Sequence, residues 1–383
     1  MVKQNRAVVT GKKYMRQQSQ LSTHLCARCK VVKDRNCYLA HPTNKSGLQA
    51  YCKQCMHEHG QKYFNSDKGF VMKMANDAAS SSKSRRLKGR EMGPFSFAVE
   101  DIEVLHADQG GLCALSGIPV VRKMHSNWQE SPDRIDTSRD YTRGNVRLVA
   151  AEFNGSSQWT PEKVQYAFLT QHEADVAAVK EAYREALLKP KRVITRRNTI
   201  EHCHVGGIKK VKCNKCNEYK TPQHFYEHLN RGCKECQTRS NREYLETLRG
   251  WATMLVCLAR GSAKAKVAKG RVCRVTLTVQ QILRKYLLQQ GLCWYSNIPM
   301  CTKRGDWRMS LERINPTGDY SNDNTCLVCH EFNVGDHRST IRDETTGERL
   351  TDEEVMSREG CFWSQEKFVF AQMHIMEKYG MSV

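Results

Sequence analysis

The sequence predicts an α+β protein in which one unit is repeated in tandem, and three observations lead there. First, Gly111-Leu112-Cys113-Ala114-Leu115-Ser116-Gly117-Ile118-Pro119 returns 180 positions later as Gly291-Leu292-Cys293-Trp294-Tyr295-Ser296-Asn297-Ile298-Pro299, with six of nine residues identical. Second, Ser131 to Asn154 returns as Ser310 to Asn333 with 11 of 24 identical, where composition alone gives roughly one or two matches. Third, each copy carries paired Cys-x-x-Cys knuckles ahead of a basic stretch and a core of alternating apolar residues. The match extends upstream, where Gly69-Phe70 answers to Gly250-Trp251, and downstream, where Trp159 to Lys163 answers to Trp363 to Lys367.

Taken in order, the chain divides as follows. Residues 1–20 are a basic tail, since no acidic residue precedes Asp34. Residues 21–60 form a first cysteine module, 61–109 a basic helical segment, and 110–188 a core closed by a terminal helix. Residues 189–207 are a basic linker, and the order then repeats as 208–240, 241–289 and 290–333. An insertion at 334–362 precedes a C-terminal helix at 363–383. Within the first core, a strand pair and a polar loop lead to a helix expected from about Val149. The terminal helix of copy one is signalled by Thr160 as N-cap, Pro161 at the first position and Glu162 in the first turn. Its period runs through Val164, Phe168, Ala174, Val176, Val179 and Ala182 to a stop at Pro190. Ser364 plays the N-cap part in copy two.

Cys26, Cys29, Cys52 and Cys55 in copy one, and Cys213, Cys216, Cys233 and Cys236 in copy two, have the spacing of four-thiolate tetrahedral zinc sites. Two such ions per chain are expected, both structural, because a closed four-cysteine site leaves no position for substrate. Each second knuckle runs into helical sequence, an order that resembles a treble-clef finger. Eighteen cysteines without an apolar leader favour thiolate–metal chemistry over disulfides and an intracellular chain over a secreted one. Nuclear, mitochondrial and viral settings stay open. Cys326-x-x-Cys329, with Cys293 and Cys301 the only other candidates near it, is read as buried thiols ahead of a further ion.

The formal charge of +21 predicts a polyanionic partner, with nucleic acid the first candidate. Lys83, Arg85, Arg86, Lys88 and Arg90 form one acid-free run, and Lys264, Lys266, Lys269 and Arg271 lie in another. Such runs contact phosphates without reading sequence. No apolar run approaches the ~20 residues of a membrane helix, so no membrane partner is expected.

The core motifs, Gly-x-Cys-x-x-Ser-Gly-Ile-Pro followed by Ser131-Pro132-Asp133-Arg134-Ile135-Asp136, Tyr141, Gly144-Asn145-Val146 and Phe153-Asn154, resemble the HNH, or ββα-metal, endonuclease superfamily. They are closest in style to phage-type HNH enzymes and recombination endonuclease VII. The resemblance implies a catalytic Mg²⁺ held by Asp133 and Asn154, a loop fixed by Asn145, and a general base at the position of Arg134. Arg134 departs from the histidine expected there, since a guanidinium stays protonated and accepts no proton. Asp136 or His125 is the candidate stand-in. In copy two Glu312, Arg313, Asn315, Asn324 and Asn333 take the corresponding places, and the spare carboxylate is gone.

The resemblance therefore implies a metal-dependent endonuclease, a hydrolase of phosphodiester bonds. It would act as a monomeric pseudo-dimer on double-stranded DNA in preference to RNA, with copy one the active core. Two alternatives remain open: an HNH-fold zinc protein that binds DNA or RNA without catalysis, and a ribonucleoprotein scaffold.

Overall fold

The computed structural model describes residues 22–155, 157–188, 201–227, 232–268, 270, 272–333, 360 and 362–381. The basic tail, the insertion apart from Gly360 and Phe362, Lys269 and Arg271 lie outside the described residues. The described chain is a mixture of helices and small antiparallel sheets, the α+β class the sequence predicts.

Each half opens on a hairpin that presents two cysteines. Strands β1 (Thr23–Leu25) and β2 (Val32–Asp34) pair across the Cys26–Cys29 turn. In the second half β5 (His202–Val205), β6 (Ile208–Lys212) and β7 (Tyr219–Lys220) form three strands. The end of the expected linker is thus strand: Gly206 and Gly207 both have positive φ and close a two-residue turn that only flexible residues tolerate well. The second cysteine pair then starts a helix, with Cys52 the N-cap of α1 (Lys53–Phe64) and, in the other half, Cys233 at the equivalent place.

The helix α1 abuts α2 (Asp67–Leu87), and α6 (Lys234–Glu246) abuts α7 (Leu248–Val267), at joints of identical design. Ser66 Oγ accepts from Gly69 N–H, and Thr247 Oγ1 accepts from Gly250 N–H. A Cβ on Gly69 would lie 1.9 Å from Tyr63 O, and one on Gly250 would lie 1.8 Å from Tyr244 O. No side chain fits there, which accounts for the glycine repeated between the copies.

Helix α3 (Val99–Asp108) leads into the hairpin β3 (Glu130–Arg134) and β4 (Val146–Ala150), and α8 (Val279–Leu288) into β8 (Met309–Arg313) and β9 (Thr325–Cys329). Val149, the expected start of a helix, is instead a strand residue opposite Ser131. Branched Val146 and Val149 suit the pleated, buried setting of β4, and only one 3-10 turn, Ala151–Phe153, follows. The terminal helix of copy one is also two helices, α4 (Pro161–Leu169) and α5 (Val176–Leu187). The period carries through, but Asp175 Oδ1 accepts from Ala178 N–H and begins a new helix. Thr160 and Ser364 cap α4 and the last helix, α9 (Gln365–Lys378), as expected.

One apolar core joins the two copies. It includes Phe153, Trp159 and Phe168 from the first and Phe332, Trp363 and Phe368 from the second. The terminal helices are exchanged across it. The rings of Phe168 on α4 and Phe368 on α9 stack at 4.7 Å, and Lys378 donates to Leu115 O in the first core. In return α5 packs on α7 and α8 of the second copy, where Arg249 donates to Ala186 O. Among the described residues no helix is long and apolar enough to cross a membrane.

Candidate metal centres and nucleic-acid interface

Both expected thiol sets are gathered. The four sulfurs of Cys26, Cys29, Cys52 and Cys55 lie within 4.8 Å of one another, as do those of Cys213, Cys216, Cys233 and Cys236. Each set could hold one structural metal ion such as zinc. The hydrogen bonding inside the two sets matches: Cys52 N–H donates to Cys26 Sγ and Cys233 N–H to Cys213 Sγ, both at 3.2 Å. Burial works against a charged Cys26, yet backbone N–H donors from Cys52, Cys29 and Arg28 bring its thiol down to about 6. Cys213 is likewise lowered to about 6 against its burial, by the N–H groups of Cys216, Cys233 and Lys215. Burial and the neighbouring thiols push Cys55 and Cys236 up to about 12. One thiolate is therefore ready in each set, and an ion's charge is what would ionise the last. Small apolar clusters close the modules, Tyr38 and Leu48 in the first, Val211 and Phe225 in the second. The histidines near the knuckles belong to neither set. Cys293, Cys326 and Cys329 are buried thiols, and among the described residues they join no such group.

The polar loops of the two cores are built alike. Asn145 Oδ1 accepts from Asp136 N–H, while its Nδ2 donates to Asp136 O and Asp140 O. Asn324 makes the same three bonds with Asn315 and Asp319. Arg134 donates to Thr137 O and Arg139 O, and Arg313 donates to Gly318 O. Each guanidinium also lies over a tyrosine of its own loop, Arg134 over Tyr141 and Arg313 over Tyr320. The arginine at the expected base position thus holds the loop closed. Asp136 Oδ1 accepts from Ser138 N–H and Oγ, and those bonds hold its carboxyl below the ordinary value, which makes it a weaker proton acceptor. Asn315 makes the same turn with Thr317. A neutral amide therefore suffices for that structural job. His125 sits on an exposed loop with a left-handed backbone.

The first core departs from the second at Asp133. Arg147 stands opposite it across the hairpin and donates Nε and Nη2 to the same carboxylate oxygen, at 3.0 and 2.9 Å. Sequence reasoning missed this arginine. The register position of Arg147 is Cys326 in copy two, opposite Glu312. Asn154 spends its amide nitrogen on Ser131 Oγ and Pro132 O, and Asn333 does likewise with Ser310 Oγ and Leu311 O. The Mg²⁺ that the HNH resemblance implies does not fit the first core as it stands. A guanidinium already pairs with Oδ2 of the carboxylate that would take the ion, and the Asn154 amide nitrogen is turned to Ser131 Oγ and Pro132 O.

The basic runs divide into members that contact other parts of the protein and members that face solvent. Arg86 bridges Asp140 Oδ2 and Gly93 O, and Arg85 lies over the Tyr141 ring as Lys266 lies over Tyr320. Lys83, Lys88, Arg90 and Lys264 are exposed. Also unforeseen were two carboxylates at the exchange. Glu331 takes Lys163 from α4, and Glu152 takes Lys367 from α9. Each also accepts a backbone N–H from its own core, from Trp307 and Trp128 respectively. The internal repeat had already matched Glu152 with Glu331 and Lys163 with Lys367, which is the signal that could have found them.

Comparison of the chain with protein-family models, with curated proteins and with solved structures returns no match.

Proposed function

We propose that the protein binds double-stranded nucleic acid, DNA before RNA, as a single-chain pseudo-dimer stabilised by two zinc ions in treble-clef-like modules. The reciprocal exchange of α4, α5 and α9 carries the proposal. It gives one chain two equivalent sets of cysteine module, basic helix and loop joined through a shared core, an arrangement suited to the two strands of a duplex. The charge of +21 and the exposed Lys83, Lys88, Arg90 and Lys264 supply phosphate contacts that do not depend on sequence. Binding without hydrolysis is favoured over hydrolysis because the base position is a loop-holding arginine in both cores.

Endonuclease activity of the HNH type is the second reading. The twin loop fixings by Asn145 and Asn324, the part the resemblance assigns to that asparagine, favour it. Incubating supercoiled plasmid with the purified zinc-loaded protein, with Mg²⁺ added or omitted, separates the two. The first reading expects a shifted but intact plasmid under both conditions, and Mg²⁺-dependent nicking would establish the second.

A further inference from the structure

The geometry points to Arg147 as a built-in replacement for a divalent cation in the first core, so that this core meets phosphate with the protein's own positive charge. The inference deepens the nucleic-acid reading and rests on it. Asp133 is 8% exposed, and it is the carboxylate that metal chemistry would require. Both hydrogen bonds from Arg147 fall on its Oδ2, and the same Arg147 Nη2 donates to Trp159 O at 2.6 Å. The guanidinium is therefore fixed from two sides, by the hairpin and by the segment that starts α4. A planar, permanently charged donor in that place satisfies the carboxylate as an ion would, without an exchangeable ligand.

The surroundings carry the same sign. Arg134 follows Asp133 directly, and Arg85 shares the Tyr141 ring with Arg134. Arg147 is thus the guanidinium on the Asp133 carboxylate, Arg134 and Arg85 gather at the nearby Tyr141 ring, and Asp140 is already bound by Ser82 and Arg86. A field of that sign attracts phosphate and opposes a free divalent cation. The second copy has Cys326 where the first has Arg147, so the substitution belongs to the first core alone.

Titration of the zinc-loaded full chain with Mn²⁺, followed by the loss of the free-ion paramagnetic resonance signal, tests this without reference to activity. Wild type and Asp133→Asn should take up the same amount of Mn²⁺. Arg147→Gln should gain one site per chain, and Arg147→Gln with Asp133→Asn should lose it again. A wild-type Mn²⁺ site that Asp133→Asn removes would overturn the inference. Should Arg147→Gln fail to fold, the comparison of wild type with Asp133→Asn still decides. Duplex DNA should bind equally well with Mn²⁺ added and with no divalent ion added to the zinc-loaded chain, and a divalent requirement abolished by Asp133→Asn would overturn the inference as well. Absence of duplex binding in both conditions would sink the nucleic-acid reading and leave the Mn²⁺ comparison standing.

Discussion

Lys163 Nζ lies 3.0 Å from Glu331 Oε1, although 168 residues separate them, and the repeat-related Lys367 meets Glu152 in the opposite direction. Both carboxylates are buried, and each lysine crosses from one copy into the core of the other. The two pairs clasp the exchange from opposite sides, and the aromatic cluster of Phe153, Trp159, Phe332 and Trp363 fills the space between them. Trp159 meets Phe332 at 5.6 Å and Trp363 meets Phe153 at 5.3 Å, again reciprocally.

Breaking one clasp should be costly. Glu331→Ala leaves the Lys163 ammonium in a largely buried place with Asp306 as its remaining carboxylate partner, and loss of a buried pair costs about 3–5 kcal/mol. Thermal unfolding of Glu331→Ala, Lys163→Met and the double variant checks this. The double variant should be less destabilised than the sum of the singles, since it leaves no uncompensated charge. Additive losses would mean that the pair does not couple the copies.

How far the sequence reveals this arrangement depends on the range of the interaction. The cysteine sets were legible because knuckle spacing is local and thiolate chemistry is demanding. The caps at Thr160 and Ser364 were legible for the same reason. The exchange was not: the repeat shows that Lys163 and Lys367 are equivalent, but a lysine paired within its own copy would leave the same pattern. Arg147 was hidden by register. Its partner follows only once β4 is known as a strand, and the apolar run around Val149 reads equally well as the start of a helix. Asp136 was misleading because a carboxylate beside a loop suggests chemistry, whereas Asn315 shows that the turn needs only an oxygen acceptor.

Zinc should be present at about two ions per chain, and Cys52→Ser should release one of them. Because structural zinc binding is itself folding free energy, on the order of 10 kcal/mol or more, the first module should unfold. Metal analysis with hydrogen exchange over residues 22–64 checks both. Full zinc content and unchanged protection in Cys52→Ser would count against a four-cysteine site.

Acid should loosen the docking of α2 on the first loop through Asp140. Burial opposes the charge of Asp140, but hydrogen bonds from Ser82, Arg86 and Tyr141 N–H outweigh it and hold the carboxyl below its ordinary value. A carboxyl lowered by folding contributes stability above its unfolded value, about 3.9, and that contribution is lost as pH falls through the folded value. Asp140→Asn should therefore cost about 2 kcal/mol near neutrality and progressively less below about pH 4. Melting curves of the two proteins from pH 7 to pH 3 measure the difference. A gap that stays constant across that range would remove Asp140 from the account.

The most direct measurement of the central claim is the salt dependence of duplex DNA affinity, for wild type and for a variant with Lys83, Lys88 and Lys264 each changed to Gln. All three side chains are exposed, so their loss should leave the melting temperature unchanged. Each phosphate contact contributes about 0.9 to the slope of log affinity against log salt on duplex DNA. Binding through these side chains predicts a steep wild-type slope that becomes shallower by about two to three in the variant. Equal slopes, or a wild type that does not bind duplex at low salt, would contradict it.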